Sequence, residues 1–253
     1  MSTAHADELL ERSARLADGE LATWDPRSTN PTDFGLADFG DGIALVASFS
    51  HVVSFAGEDG LTVVGTSAPA HAEGVLAALR RWPDDRVDTI VHTHTHTHGH
   101  LDLGGRSAAL RHDRGETDDH TWLWLPEERI VCGGDFLSRV VPDAGNPQKV
   151  QLYRVGWAEA LRAMAAFEPE LFLSAHGLSI AGADRVVRVF ADVASALESP
   201  VGQTLALMNA GAPLDEVGRS VRVDPVLVTA SGELVAVDVL AVRSTSAGAG
   251  SEP

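Results

Sequence analysis

The sequence predicts an α/β sandwich in which β-sheets sit between helical layers. Three observations carry that expectation. Short apolar, β-branched runs at 43–49, 52–55 and 61–66 follow one another with turn formers between them, as in a strand meander. Segments of helical periodicity then alternate with single buried strands, as in strand–helix–strand crossovers. The 253 residues are enough for one substantial domain with its own core.

Taken in order, Ala4 to Ala17 spaces apolar residues helically among acids and arginines and reads as a surface helix. Ile43–Phe49, Val52–Phe55 and Leu61–Thr66 read as strands, the last two joined by Ala56-Gly57-Glu58-Asp59-Gly60. His71–Trp82 is an amphipathic helix with Val75, Leu76 and Leu79 on one face and Pro83 beyond its end. A strand runs from Val87 to about His94, and Ser107–Arg111 reads as one helical turn before a charged loop to Asp119. Thr121–Leu125 and Arg129–Cys132 are strands joined through Pro126-Glu127-Glu128. Trp157–Phe167 is helical and Leu171–Ser174 a buried strand, followed by two helices, Asp184–Leu197 and Val201–Asn209, separated around Pro200. Leu214–Val221 adds a short helix, Val226–Val242 a hairpin about Ser231-Gly232, and Ser244–Pro253 a tail disordered by composition.

Composition narrows the function. The net charge of -17, from 36 acids against 19 bases of which Lys149 is the only lysine, repels phosphate backbones and argues against a nucleic-acid partner. No window approaches the roughly 20 apolar residues of a membrane helix, so no membrane partner is expected. The N-terminus lacks the pattern of a signal peptide and the single Cys132 forms no internal disulfide, so a cytoplasmic setting is expected. Cys132 lies in an apolar strand and reads as buried filler; Trp122, Trp124 and Trp157 read as core or pocket wall.

Five of the 11 histidines alternate from His92 to His100. Four distant segments each place a metal-binding side chain after a strand: Thr97 to Gly105 with His98, His100 and Asp102, then Gly115-Glu116-Thr117, Gly133-Gly134-Asp135, and Ser174-Ala175-His176-Gly177. Imidazoles with carboxylates suit zinc, and with more oxygen iron or manganese. Glycine beside the ligands lets the loops turn sharply. His92, His94 and His96 read as a repeat-like elaboration of the strand end.

This ordered set resembles the metallo-β-lactamase superfamily, whose motif is His-x-His-x-Asp-His with three later ligands, over roughly Phe34 to Asn209. Within it, Gly115 to Trp122, Gly145 to Val150 and Leu205 to Gly211 look like signatures of the alkyl-sulfatase-like branch. The resemblance implies a metallo-β-lactamase-like αββα sandwich. Residues 1–33 would be an N-terminal arm and helix, 34–212 the metallo-β-lactamase-like domain, 213–243 a modified extension of that domain and 244–253 the tail.

It also implies one or two Zn2+ ions, with iron or manganese compatible: His98, His100 and Glu116 at a first metal, Asp135 bridging, Asp102 and His176 at a second. Asp102 and Asp135 would orient a metal-bound hydroxide toward an ester-type bond, with His120 as an acid or substrate contact. The expected substrate is a small molecule carrying an anionic group such as sulfate, for which Asn146 and Lys149 are candidate contacts. Departures from the pattern leave an alternative open, a protein that keeps the fold to bind a ligand or partner without catalysis. Leu103 stands where the family has a second-metal histidine, and Gly65 where it has a buttressing aspartate; the branch's lid insertion and C-terminal modules are missing.

Overall fold

The computed structural model describes residues 3–21, 31–82, 86–94, 99–137 and 153–222. Helix α1 (Ala4–Ala17) precedes a five-stranded sheet of β1 (Leu36–Gly40), β2 (Ile43–Val46), β3 (Val52–Gly57), β4 (Gly60–Val64) and β5 (Val87–Val91), in that spatial order. The pairs are antiparallel until β4 and β5, which are parallel because helix α2 (Ala72–Leu79) crosses between them. The second sheet holds β6 (Gly99–Asp102), β7 (Ser107–Asp113), β8 (His120–Leu125), β9 (Ile130–Gly134), β10 (Leu171–Ser174) and β11 (Ile180–Ala181), ordered from β11 down to β6. Here the parallel pair is β9 and β10, bridged by helix α3 (Arg154–Ala165); α4 (Ala183–Asn209) and α5 (Leu214–Ser220) follow.

Strand alternation sorts the apolar side chains into layers. Leu45, Phe55, Val91, Leu123, Cys132 and Leu173 meet between the sheets. Val46 and Val63 face outward onto Val75 and Leu79 of α2. Trp122, Val131 and Phe172 face the other way onto Trp157 and Leu161 of α3 and Phe190 of α4. The layers are thus helix, sheet, sheet, helix, and each fully buried Leu, Phe or Val stabilises the stack by roughly 1.5–3 kcal/mol. Burial pushes the Cys132 thiol up to about 12, so it is inert filler.

Three expectations change. Ser107–Arg111 is not a helical turn but lies within β7, because Ala108 and Leu110 pack between the sheets while Ala109 packs against the helical side, a period of two. Pro200 does not divide the segment into separate helices: α4 runs through it, losing one rung of a 27-residue ladder. Its packing nonetheless stops near there, since the buried positions end at Leu197 while Leu205 and Met208 are exposed. The strand expected from Val87 to about His94 ends at Val91, and β1 adds an edge strand to the expected set. The 226–242 hairpin and the 244–253 tail lie outside the described residues. No described helix is long and apolar enough to cross a membrane.

The sandwich has two distinct ends. At one, the β3–β4 turn meets the β6–β7 turn so closely that a Cβ on Gly57 would stand 2.2 Å from Gly104 Cα. There Arg106 donates to Ala56 O at 3.0 Å and pairs with Glu128 at 3.3 Å, joining the sheets. At the other end the chain leaves β5, β9 and β10.

Candidate metal centre

Four polar side chains converge at that second end. His94 follows β5; its segment leaves the first sheet and forms an isolated antiparallel bridge with His120, the first residue of β8 in the second sheet. Thr121 N donates to Thr93 O at 2.7 Å beside it. Asp135 sits in the turn after β9, and His176 in the turn after β10. The Nε2 atoms of His94 and His120 lie 3.0 Å apart. Asp135 reaches both sides: Oδ2 is 3.5 Å from His94 Nε2, and Oδ1 is 3.4 Å from His176 Nε2.

The turns are held from beneath. Trp157 Nε1 donates to Phe136 O at 2.6 Å, which ties the Asp135 turn to α3. Ala175 N donates to Gly134 O at 3.0 Å, linking the Asp135 and His176 turns. Ser174 Oγ donates to Leu137 O at 2.8 Å and accepts from His176 N at 3.0 Å. His51, between β2 and β3 and buried, donates from its backbone N to Ala175 O at 2.6 Å; its Nε2 contacts Gly177 O at 2.7 Å.

His120 is buried against the Phe136 ring, edge-on at 4.9 Å, and against Gly115, where a Cβ would fall 2.7 Å from Nδ1. Burial, aided by the neighbouring His94 imidazole, pushes its pKa down to about 4 and leaves the ring neutral, the form that ligates metals. Burial likewise brings His51 down to about 4, against the opposing pull of its bond to Gly177 O.

These residues fit a divalent cation. Asp135 Oδ1 and His120 Nδ1 are buried without a hydrogen bond. The distances from Asp135 to both imidazoles are too long for good hydrogen bonds. Zinc-like ions hold nitrogen and oxygen at roughly 2.0–2.2 Å, so ligand atoms around one sit roughly 3–4 Å apart. His94, His120 and Asp135 each offer an atom within 4.8 Å of the others, so this group can hold a metal ion. His94 and Asp135 border a cavity of about 390 Å³, with Phe49, Ser50, Gly65, Thr66, Ser67, His92 and His176 among its other walls.

No protein-family model and no curated protein sequence matches the chain. Among solved structures it is similar to the stereoselective inverting sec-alkylsulfatase Pisa1 from Pseudomonas sp., at TM-score 0.73 and 12% identity over 100% of this chain and 65% of that one. A double mutant of the same sec-alkyl sulfatase matches at TM-score 0.72 and 13% identity, over 85% of this chain and 50% of that one. A metallo-β-lactamase family protein from Thermus thermophilus matches at TM-score 0.53 and 13% identity, over 83% and 91% of the two chains. The chain has the metallo-β-lactamase fold. It spans 50% and 65% of the two alkylsulfatase chains, and the likeness at these identities is one of fold.

Within the metallo-β-lactamase fold, the expected ligands do not all meet. Asp135 and His176 come together, with His120 beside them. His98, Asn146 and Lys149 lie outside the described residues. Glu116 lies in the turn between β7 and β8, the strands whose residues Asp113 and His120 pair at the metal-centre end.

His100 and Asp102 sit on β6, which runs away from that end. His100 pairs with Ala109, and Ala109 with Trp124, so His100 stands two strands across and four residues along from His120. That is roughly 10 Å by 13 Å at ordinary strand spacing and rise. Asp102 accepts a hydrogen bond from Gly105 N and lines a separate hollow with Glu58, Asp59 and Asp88 at the opposite end.

Leu103 is fully buried between the sheets as part of their shared core. Gly65 does line the cavity. Among the described histidines of the tract, His94, read from the sequence as strand elaboration, is the one that meets Asp135; the signal for it is its place, three residues past the end of β5.

Proposed function

We propose that the chain is a metal-dependent hydrolase acting on an ester-type bond of a small molecule, with His94, His120, Asp135 and His176 holding the cation. The convergence of His94, His120 and Asp135 beside an open cavity is the observation that carries this reading. A bound divalent cation supplies Lewis acidity and brings the pKa of water from 15.7 toward about 7. The chain's own residues do the rest. Asp135, partly buried, orients the two imidazoles that face its oxygens and is placed to take a proton from water in the cavity. His120, kept neutral by burial, presents Nε2 toward the same point. Thr66, Ser67 and Thr93 offer hydroxyls to a polar substrate group, and Phe49 offers an apolar edge. The sec-alkylsulfatase likeness makes a sulfate ester the leading candidate substrate.

The test is metal content of tag-free protein together with hydrolysis of aryl esters, aryl sulfates and aryl phosphates. At least one zinc, iron or manganese per chain is expected, with turnover of one class that is abolished by chelation and restored by the metal. Metal-free protein whose thermal midpoint does not respond to added zinc would sink the proposal. Gly65 on the cavity wall, in place of a carboxylate, favours a second reading in which the site binds a ligand without turning it over; a metal-loaded protein inactive on all three classes would support it.

A further inference from the structure

His51 is one of the few buried polar residues among those described, and the chemistry proposed above does not use it. It stands in the turn between β2 and β3, in the first sheet, yet its partners Ala175 and Gly177 belong to the second. Its backbone N donates to Ala175 O at 2.6 Å and its Nε2 approaches Gly177 O at 2.7 Å, so two bonds from one residue bracket His176 on either side. Nε2 lies 2.7 Å from the Gly177 carbonyl, the shorter of the ring's two carbonyl contacts, and as its donor carries the ring proton. Nδ1 lies 3.0 Å from Ser48 O and 3.1 Å from Ser48 N, and in that tautomer accepts from Ser48 N. Ser48 Oγ is 2.8 Å from Ser67 Oγ, and Ser67 Oγ also accepts from Ser50 N at 3.3 Å, so the turn carrying His51 is itself fixed to the cavity wall.

We infer that His51 is a positioning residue of the metal centre, holding the Ala175–Gly177 turn of the second sheet so that the His176 imidazole faces Asp135. The inference rests on the reading of His176 and Asp135 as metal ligands. His176 comes from a turn with two backbone links to other parts of the site, Ala175 N to Gly134 O and Ala175 O to His51 N. The His51 imidazole adds a side-chain bond to the residue that follows His176. A ligand carried on such a turn keeps its aim only as well as the turn is held, and loss of partners of this kind costs a metal site about 10- to 100-fold in affinity. The buried Gly177 carbonyl fixes the chemistry required at position 51: a donor at the reach of Nε2.

Zinc affinity, read by competition with a chromophoric chelator, tests this on the full chain and on His51→Asn, His51→Gln and His176→Ala. Asparagine can accept from Ser48 N but is too short to reach Gly177 O, whereas glutamine places an amide donor at about the reach of Nε2. His51→Asn is therefore expected to lose about 10- to 100-fold in zinc affinity. His51→Gln is expected to recover most of it, with the metal-free thermal midpoints of the two variants matched. Absorption of the cobalt(II)-loaded proteins supplies a readout that a purely structural residue would not move: His51→Asn is expected to shift the ligand-field bands at unchanged stoichiometry, and His51→Gln to restore them. Equal zinc affinity and unchanged bands in both variants would overturn the inference while leaving the metal centre in place. Zinc binding absent from the unaltered chain would overturn the metal centre, and the role of His51 with it. If His51→Asn does not fold, His51→Gln decides alone, a full loss of affinity at a native thermal midpoint counting against the inference.

Discussion

His94 and His120 pair twice, once as a backbone bridge between the two sheets and once through Nε2 atoms 3.0 Å apart. Two imidazoles facing through Nε2 share at most one hydrogen bond, whereas both nitrogens can serve one cation. His94→Ala and His120→Ala are therefore each expected to remove bound metal. His100→Ala, on the exposed strand β6, should leave metal content as it was. Elemental analysis of the three purified variants decides it; metal lost with His100 and retained without His94 would reverse the assignment.

Leu103→His offers a sharper contrast. Reading Leu103 as the missing ligand of a second metal makes this substitution a gain of metal. Its place between the sheets makes it a loss of stability of about 2–4 kcal/mol, from deleted apolar packing and a buried imidazole without partners. Urea unfolding with metal analysis separates these outcomes, and a variant of native stability holding an extra ion would restore the ligand reading.

Acidification acts on the metal-free protein through its buried histidines. The unfolded chain protonates His51 below about 6.5, but the folded chain does so only near pH 4, because burial disfavours the cation. Between these values the unfolded state binds more protons, so stability falls as the pH drops through the window. From pH 6.5 to 5 the loss is about 2 kcal/mol for His51, and His120 acts in the same direction. Urea midpoints in chelator at pH 7 and pH 5 measure it, and His51→Gln should flatten the dependence. A midpoint that does not move would show that these rings already carry their protons.

Gly57→Ala tests the far end. A methyl group there meets the Gly104 backbone at 2.2 Å, and neither chain has a side chain to yield. A loss of about 2 kcal/mol or more is expected, read as a lower thermal midpoint, against a small effect for Gly202→Ala, whose Cβ has open space. Equal midpoints would mean that the turns separate freely.

Much of this fold was legible because periodicity reports burial. Leu171–Ser174 matches its strand residue for residue, and Ala4–Ala17 its helix. The Asp135 and His176 turns were legible too, each standing directly after a buried strand. The histidine tract was not, for a physical reason: a Thr-His alternation has no unique register. Read back from Gly104-Gly105, it points to His98 and His100; read forward from the end of β5, it points to His94. The pairing of β6 with β7 turns His100 away, while His98 lies outside the described residues. His51 gave no signal at all, since its partner Gly177 is remote in sequence and the bond it makes is to a backbone carbonyl.

The Gly57–Gly104 contact has a mechanical consequence. It pins the two sheets together at one end, while the His94–His120 bridge and the bond from His51 N to Ala175 O join them at the other. The molecule is therefore built like a book with a spine and a clasp. Because the bridge, the Thr121 N to Thr93 O bond and the His51 N to Ala175 O bond close the second end without help from any ion, the two covers stay in register along their shared core whether or not the site is filled.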